Sequence, residues 1–195
     1  MLYVIFKKEL YMKKLIAVMA LGFSGAAFSA GFVSVDVDKV NGLAGSKDSV
    51  AQYVRAGTTI GDYSLGLQSR TARLDGGGML NSLELTTSHK SVSFMGVTPF
   101  AGMGYDNGLN AASKSAFQYG LFGATTGAQV GPGYALLGVK SRAGTTQDGP
   151  RTKQTVAFTT YSIPVTKTVS VNLNASRSYE TIKETAYGLG LAFKF

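Results

Sequence analysis

The chain has no cysteine, no tryptophan and a single histidine (His89), and only 15% of its 195 residues are charged. Without a thiol, disulfide frameworks, thiolate zinc sites and cysteine nucleophiles are excluded. A lone histidine also removes metal sites built on paired imidazoles. Charge is scarce beside the roughly one quarter usual in globular chains. Yet 45% of the residues are apolar and like charges are nowhere blocked together, which excludes a disordered chain. The formal net charge is +8, of which residues 1–30 supply +3 and the rest +5, scattered. That is no nucleic-acid footprint, and no nucleic-acid partner is expected. Glycine is what the chain has in quantity, 25 against four prolines.

The first 29 residues read as an address. Lys13 and Lys14 form a positive region after Met12, Leu15 to Phe23 form a short apolar run, and Ala27 and Ser29 fit the small positions before a cleavage site. The run is too short for a membrane-spanning helix of about 20 residues. The expectation is a signal peptide over 1–29, with Met12 as a candidate true start, and a mature domain over 30–195. No later stretch is apolar for 18 residues, so the mature chain is exported as a soluble protein or as a membrane-embedded β-barrel.

From residue 32 on, apolar and polar residues alternate with period two, and turn residues recur at even spacing. Val33, Val35 and Val37 oppose Ser34, Asp36 and Asp38; Tyr63, Leu65 and Leu67 oppose Asp62, Ser64, Gly66, Gln68 and Arg70; Leu83 and Leu85 oppose Ser82, Glu84 and Thr86. Val97, Pro99, Ala101, Met103 and Tyr105 oppose Thr98, Phe100, Gly102 and Gly104. Phe117, Tyr119 and Leu121 read as the apolar face opposite Gln118 and Gly120. Val169, Val171 and Leu173 oppose Ser170, Asn172 and Asn174, while the two faces of 153–163 are indistinguishable. Ten such segments of about ten residues suit tilted strands crossing a bilayer, where sandwich strands average about five or six. The predicted fold is all-β, a closed antiparallel transmembrane barrel of about ten strands, with eight as the alternative because the second, eighth and ninth segments are the least patterned. An even count puts both termini on the periplasmic side, with outer connections near 41–48, 72–78, 106–114, 144–152 and 179–184. Those connections carry more charge than the inner ones near 58–61, 90–96, 125–133 and 164–167. Tyr105, Phe117 and Tyr187 then fall near the outer interface, and Tyr63, Tyr161, Phe193 and Phe195 near the inner one, as amphipathic rings do at a membrane boundary.

The last strand ends Tyr187, Leu189, Leu191, Phe193, Phe195, alternating back from a terminal Phe. In this it resembles bacterial outer-membrane β-barrels, and Val97 to Tyr105 looks like a strand of small porin-like and opacity-type proteins. The resemblance implies a Gram-negative outer-membrane location and recognition of that terminal pattern, as an assembly signal, by the barrel-assembly machinery. It departs from opacity-type proteins in its short outer connections.

Residues that could carry chemistry are few. His89 and Ser91 have the spacing of outer-membrane lipid A deacylases, but the acid needed to orient such a pair comes only at Asp106, expected at the opposite rim. The expectation is no enzyme, with a lipid A-modifying enzyme the weakest alternative. Asp75-Gly76-Gly77-Gly78 lacks the helix and Lys of a phosphate loop, and no cofactor or metal is expected. The candidate site is the lumen, lined by Asp36, Arg55, Asp62, Arg70, Glu84, Lys140, Arg142 and Lys194, because Arg or Lys facing lipid costs about 2–4 kcal/mol near the midplane. Gln68, Gln118, Asn172 and Asn174 join them as interior polar groups. Two functions follow: a narrow passive channel for ions or small solutes, or a plugged structural or adhesive barrel whose interior charges pair. Lys47, Arg73, Lys114 and Arg151 at the outer rim fit contact with outer-membrane lipids, lipopolysaccharide phosphates in particular.

Overall fold

A computed structural model of the protein describes residues 30–42, 49–73, 79–109, 116–146, 151–180 and 183–195. The expected signal peptide, Lys47, Lys114 and the side chain of Arg151 lie outside the described residues.

Ten strands follow one another: β1 (Ala30–Asn41), β2 (Ser49–Ile60), β3 (Tyr63–Arg73), β4 (Met79–His89), β5 (Val97–Leu109), β6 (Ala116–Val130), β7 (Gly133–Thr146), β8 (Arg151–Pro164), β9 (Val169–Glu180) and β10 (Thr185–Lys194). Each pairs antiparallel with its sequence neighbours, and β1 pairs with β10, so the sheet closes into a barrel without an edge. The count is ten. The weakly patterned second, eighth and ninth segments are full strands of 12, 14 and 12 residues.

Turn chemistry sets which end is which. Gly61 (φ 59°) and Gly131 (φ 55°) each open a tight connection with a positive φ that glycine adopts without strain. Pro132 follows Gly131, and its fixed negative φ makes that turn II′-like. These turns, the 3-10 turn Lys90–Val92 and the bend at 165–168 lie at the same end as Ala30 and Phe195, the terminal end. β6 and β7 run to within two residues of each other there, so the connection expected over 125–133 shrinks to Gly131-Pro132.

The barrel is inside out relative to a water-soluble fold. Leu85 (50% exposed), Met103 (66%) and Leu189 (61%) stand on the outside, while Asp36 (0%) and Glu84 (2%) are enclosed. Register decides the face of every strand: Asp36 lies between Gly190 and Tyr53, and Glu84 between Gln68 and Gly104. β6 reverses the expected assignment. Its Tyr119 and Leu121 point inwards and are buried, whereas Gln118 is exposed on the outer face beside Tyr105 and Phe122. The cause lies on β5, where inward Gly104 leaves a bare wall for the Tyr119 ring to cover. Inside, the Tyr119 hydroxyl donates to Glu84 (2.9 Å) and Asp106 (3.3 Å). No such partner would meet it outside.

Candidate functional site: a charged belt across the lumen

Inward positions of nine strands, β1 to β9, meet in one polar network. Asp36 on β1 accepts from Arg55 Nη1 (2.5 Å), Ser34 Oγ (2.9 Å) and Asn174 Nδ2 (2.7 Å). Arg55 Nε donates to Gln68 Oε1 (2.9 Å), and Gln68 Nε2 donates to Glu84 Oε2 (3.3 Å). From β4, Glu84 reaches β7 across the lumen, where Lys140 Nζ and Arg142 Nη2 each lie 2.5 Å from one of its oxygens. Arg142 Nη1 donates onward to Gln154 of β8 (2.8 Å). A second tie crosses from β3 to the segment before β10, where Arg70 Nη2 meets Glu184 Oε2 at 3.1 Å. The Tyr53 ring lies between the two arginines, with the Arg55 and Arg70 guanidinium carbons 4.6 Å and 5.7 Å from its centroid. Enclosed charges of this kind are tolerable only when paired and hydrogen-bonded, and the sheet register supplies the partners.

Of the expected lumen residues, Asp36, Arg55, Arg70, Glu84, Lys140 and Arg142 are thus placed together. Lys194 takes an inward register position opposite Phe32 at the terminal rim, where it is exposed. Asp62 is elsewhere: it sits in the Gly61-Asp62 turn, largely exposed, 3.9 Å from Lys90. Extrapolating the alternation of β3 one residue back took it past the strand end. Tyr53, Tyr119, Asp106, Gln154 and Glu184 belong to the network as well. The inward glycines Gly102 and Gly104 were the available signal for Tyr119, since an empty wall needs a neighbour's side chain to fill it.

The two ends of the lumen differ. Toward the far end, Val40, Ala51, Tyr53, Ala72 and Ala186 form a buried apolar cluster with Leu80 packed against it. Toward the terminal end lie three rings, each laid over an inward glycine of an adjacent strand: Phe32 on Gly57, Phe100 on Gly123 and Phe158 on Gly138. A cavity of about 370 Å³ runs from Ser64 and Ser88 near the terminal end, past these rings and the belt, to Ser178 and Glu184.

His89 has a local task. Its Nδ1 accepts from the Ser91 amide (3.2 Å) at the N-cap of the 3-10 turn and lies 2.8 Å from Ser91 Oγ. Its ring meets Tyr63 edge-on at 4.5 Å. At the C-terminus, Tyr187, Leu189, Leu191 and Phe193 are exposed on the outer face of β10, and the Phe195 ring covers Gly31.

These features define a class: a closed ten-stranded antiparallel barrel with an apolar exterior and an ion-paired interior. Solved structures similar to this chain include Neisserial surface protein A, at 15% identity over 86% of this chain and 99% of that one, with a TM-score of 0.44. The translocator domain of the autotransporter NalP from Neisseria meningitidis gives 11% identity, 97% and 96% coverage and a TM-score of 0.49. The N-terminal β-barrel domain of Pseudomonas aeruginosa OprF gives 12%, 87% and 100%, and 0.39. The sequence matches no protein-family model and no curated protein.

Proposed function

We propose that the chain is a Gram-negative outer-membrane barrel with its terminal end toward the periplasm, and that its lumen is a narrow passive pathway for ions and small solutes. The apolar exterior supports the membrane location, because a closed barrel satisfies all of its backbone within the sheet and can turn such a surface to lipid. The observation that carries the pathway is the cavity, whose wall passes the Arg55–Gln68–Glu84–Lys140 belt and continues on both sides of it. Cross-lumen ties this close make the pathway narrow. The outer face of β10, Tyr187 to Phe195, is the surface that barrel-assembly machinery reads. Arg73, exposed at the far end of β3, meets lipopolysaccharide phosphates.

The test is single-channel conductance of the mature protein refolded into a planar bilayer. Reproducible steps are expected, with ion selectivity that shifts in Glu84→Gln. A second reading, a plugged wall barrel, is favoured by the apolar cluster of Val40, Ala51, Tyr53, Ala72 and Ala186. Folded protein that passes no current selects it.

A further inference from the structure

We infer that the terminal half of the lumen is a binding pocket for a single-chain amphiphile with an anionic head group, the acyl chain between the phenylalanine rings and the head group at Arg55 and Lys140. The inference concerns the vestibule alone and holds whether or not ions pass the belt.

Three observations converge on it. Phe32, Phe100 and Phe158 lie back over glycines of the adjoining strands, so their faces form a wall around the axis instead of a plug. With Leu136 they line the terminal part of the cavity, whose whole volume, on both sides of the belt, is about 370 Å³, in the range of ligand pockets. An apolar wall removes water without offering an ion a partner, and it offers a hydrocarbon chain a matching surface. At the belt the cations are more accessible than the carboxylates they pair with. The Asp36 and Glu84 side chains are 0% and 3% accessible, whereas those of Arg55 and Lys140 are 25% and 12%. Asp36 and Glu84 are spent on their cations and hidden behind them, so Arg55 and Lys140 are the charges these two pairs show to the cavity. Of the charged side chains lining it, Arg55, Arg70, Lys140 and Arg142 are positive and Asp38, Glu84 and Glu184 negative. An apolar sleeve leading to exposed guanidinium and ammonium groups fits a carboxylate or phosphate on one hydrocarbon chain. Half-buried Ser64 and Ser88 line the cavity at its terminal end, and the apolar cluster occupies the far end beside β1–β4 and β10.

The protein in lipid nanodiscs is photolysed with decanoate carrying a diazirine, and the modified residues are mapped by mass spectrometry. Labelling is expected at Phe100, Thr125, Leu136 or Phe158, saturable and displaced by unlabelled decanoate. Decanol, the same chain without the anion, should displace it about tenfold less well, the worth of one charge-assisted contact. Arg55→Gln should weaken decanoate to a similar degree. Ser88→Phe narrows the mouth and leaves the belt intact; it should abolish lumen labelling while the barrel keeps its heat-modifiable migration on gels. A phospholipid bearing the same diazirine separates the sources. Lumen labelling by it too assigns the ligand to the membrane, and labelling by the free acid alone assigns it to the aqueous phase. Labelling confined to outward Leu85, Met103 or Phe122, or unchanged in Ser88→Phe, overturns the pocket.

Discussion

The two halves of the lumen are built from the same strands and the same alternation, yet one holds a packed apolar cluster and the other is walled by rings that lie back from the axis. In the far half, small residues (Ala51, Ala72, Ala186) are buried to 3% exposure or less around Val40 and Tyr53. In the terminal half, larger residues line the cavity, which continues past the belt to Ser178 and Glu184. Side-chain volume therefore does not decide which half fills; the direction in which rings lie does. Tyr53 extends among neighbours that close around it, and two guanidinium groups lie over its ring. Phe32, Phe100 and Phe158 find a glycine on the adjoining strand and lie flat against the wall. Glu84 stands at the boundary, enclosed and holding Lys140 and Arg142 across the bore.

Changes at that boundary should have the largest effect. Glu84→Ala leaves two enclosed cations without their carboxylate, and breaking such a pair costs about 3–5 kcal/mol. The urea midpoint of the barrel folded into lipid vesicles should fall accordingly; an unchanged midpoint would mean that water replaces the carboxylate and that the halves are not separated there. Next comes a direct contrast between the halves. Ala72→Leu overfills the packed side and should cost about 1–3 kcal/mol, whereas Ser64→Leu adds similar bulk to the hollow side and should stay within about 0.5 kcal/mol. Equal losses in the same unfolding measurement would erase the distinction. The smallest effect is expected outside the lumen. Asp62 and Lys90 form an exposed pair 3.9 Å apart, and Asp62→Asn should change stability by no more than about 0.5 kcal/mol, with little dependence on salt.

Strands whose faces differ in polarity were readable without the structure. β1, β3, β4, β9 and β10 each set apolar residues against Ser, Asp, Asn, Gly or Gln, and they fold with those faces outward and inward respectively. β6 was not readable, because hydrophobicity alone sent Tyr119 and Leu121 outward. Its register beside Gly102 and Gly104 reverses the face, and the hydroxyl of Tyr119 completes the belt. β8 was ambiguous for a related reason: Val156 and Phe158 point inward on the same strand as Gln154 and Thr160, a mixed face with no polarity signature. Asp62 shows the opposite error, since alternation continues on paper past the residue where Gly61 turns the chain.

Period-two alternation with evenly spaced turn residues determined, from the sequence alone, an all-β barrel of about ten strands, eight being the alternative, because strand geometry sends successive side chains to opposite sides whatever the neighbours are. Which charge meets which partner, and which rings lie flat to leave a cavity, was decided only when the sheet closed. Closure brings β4 within reach of β7 and sets each ring against the glycine of an adjacent strand, and those distances depend on register and curvature, which no single strand contains.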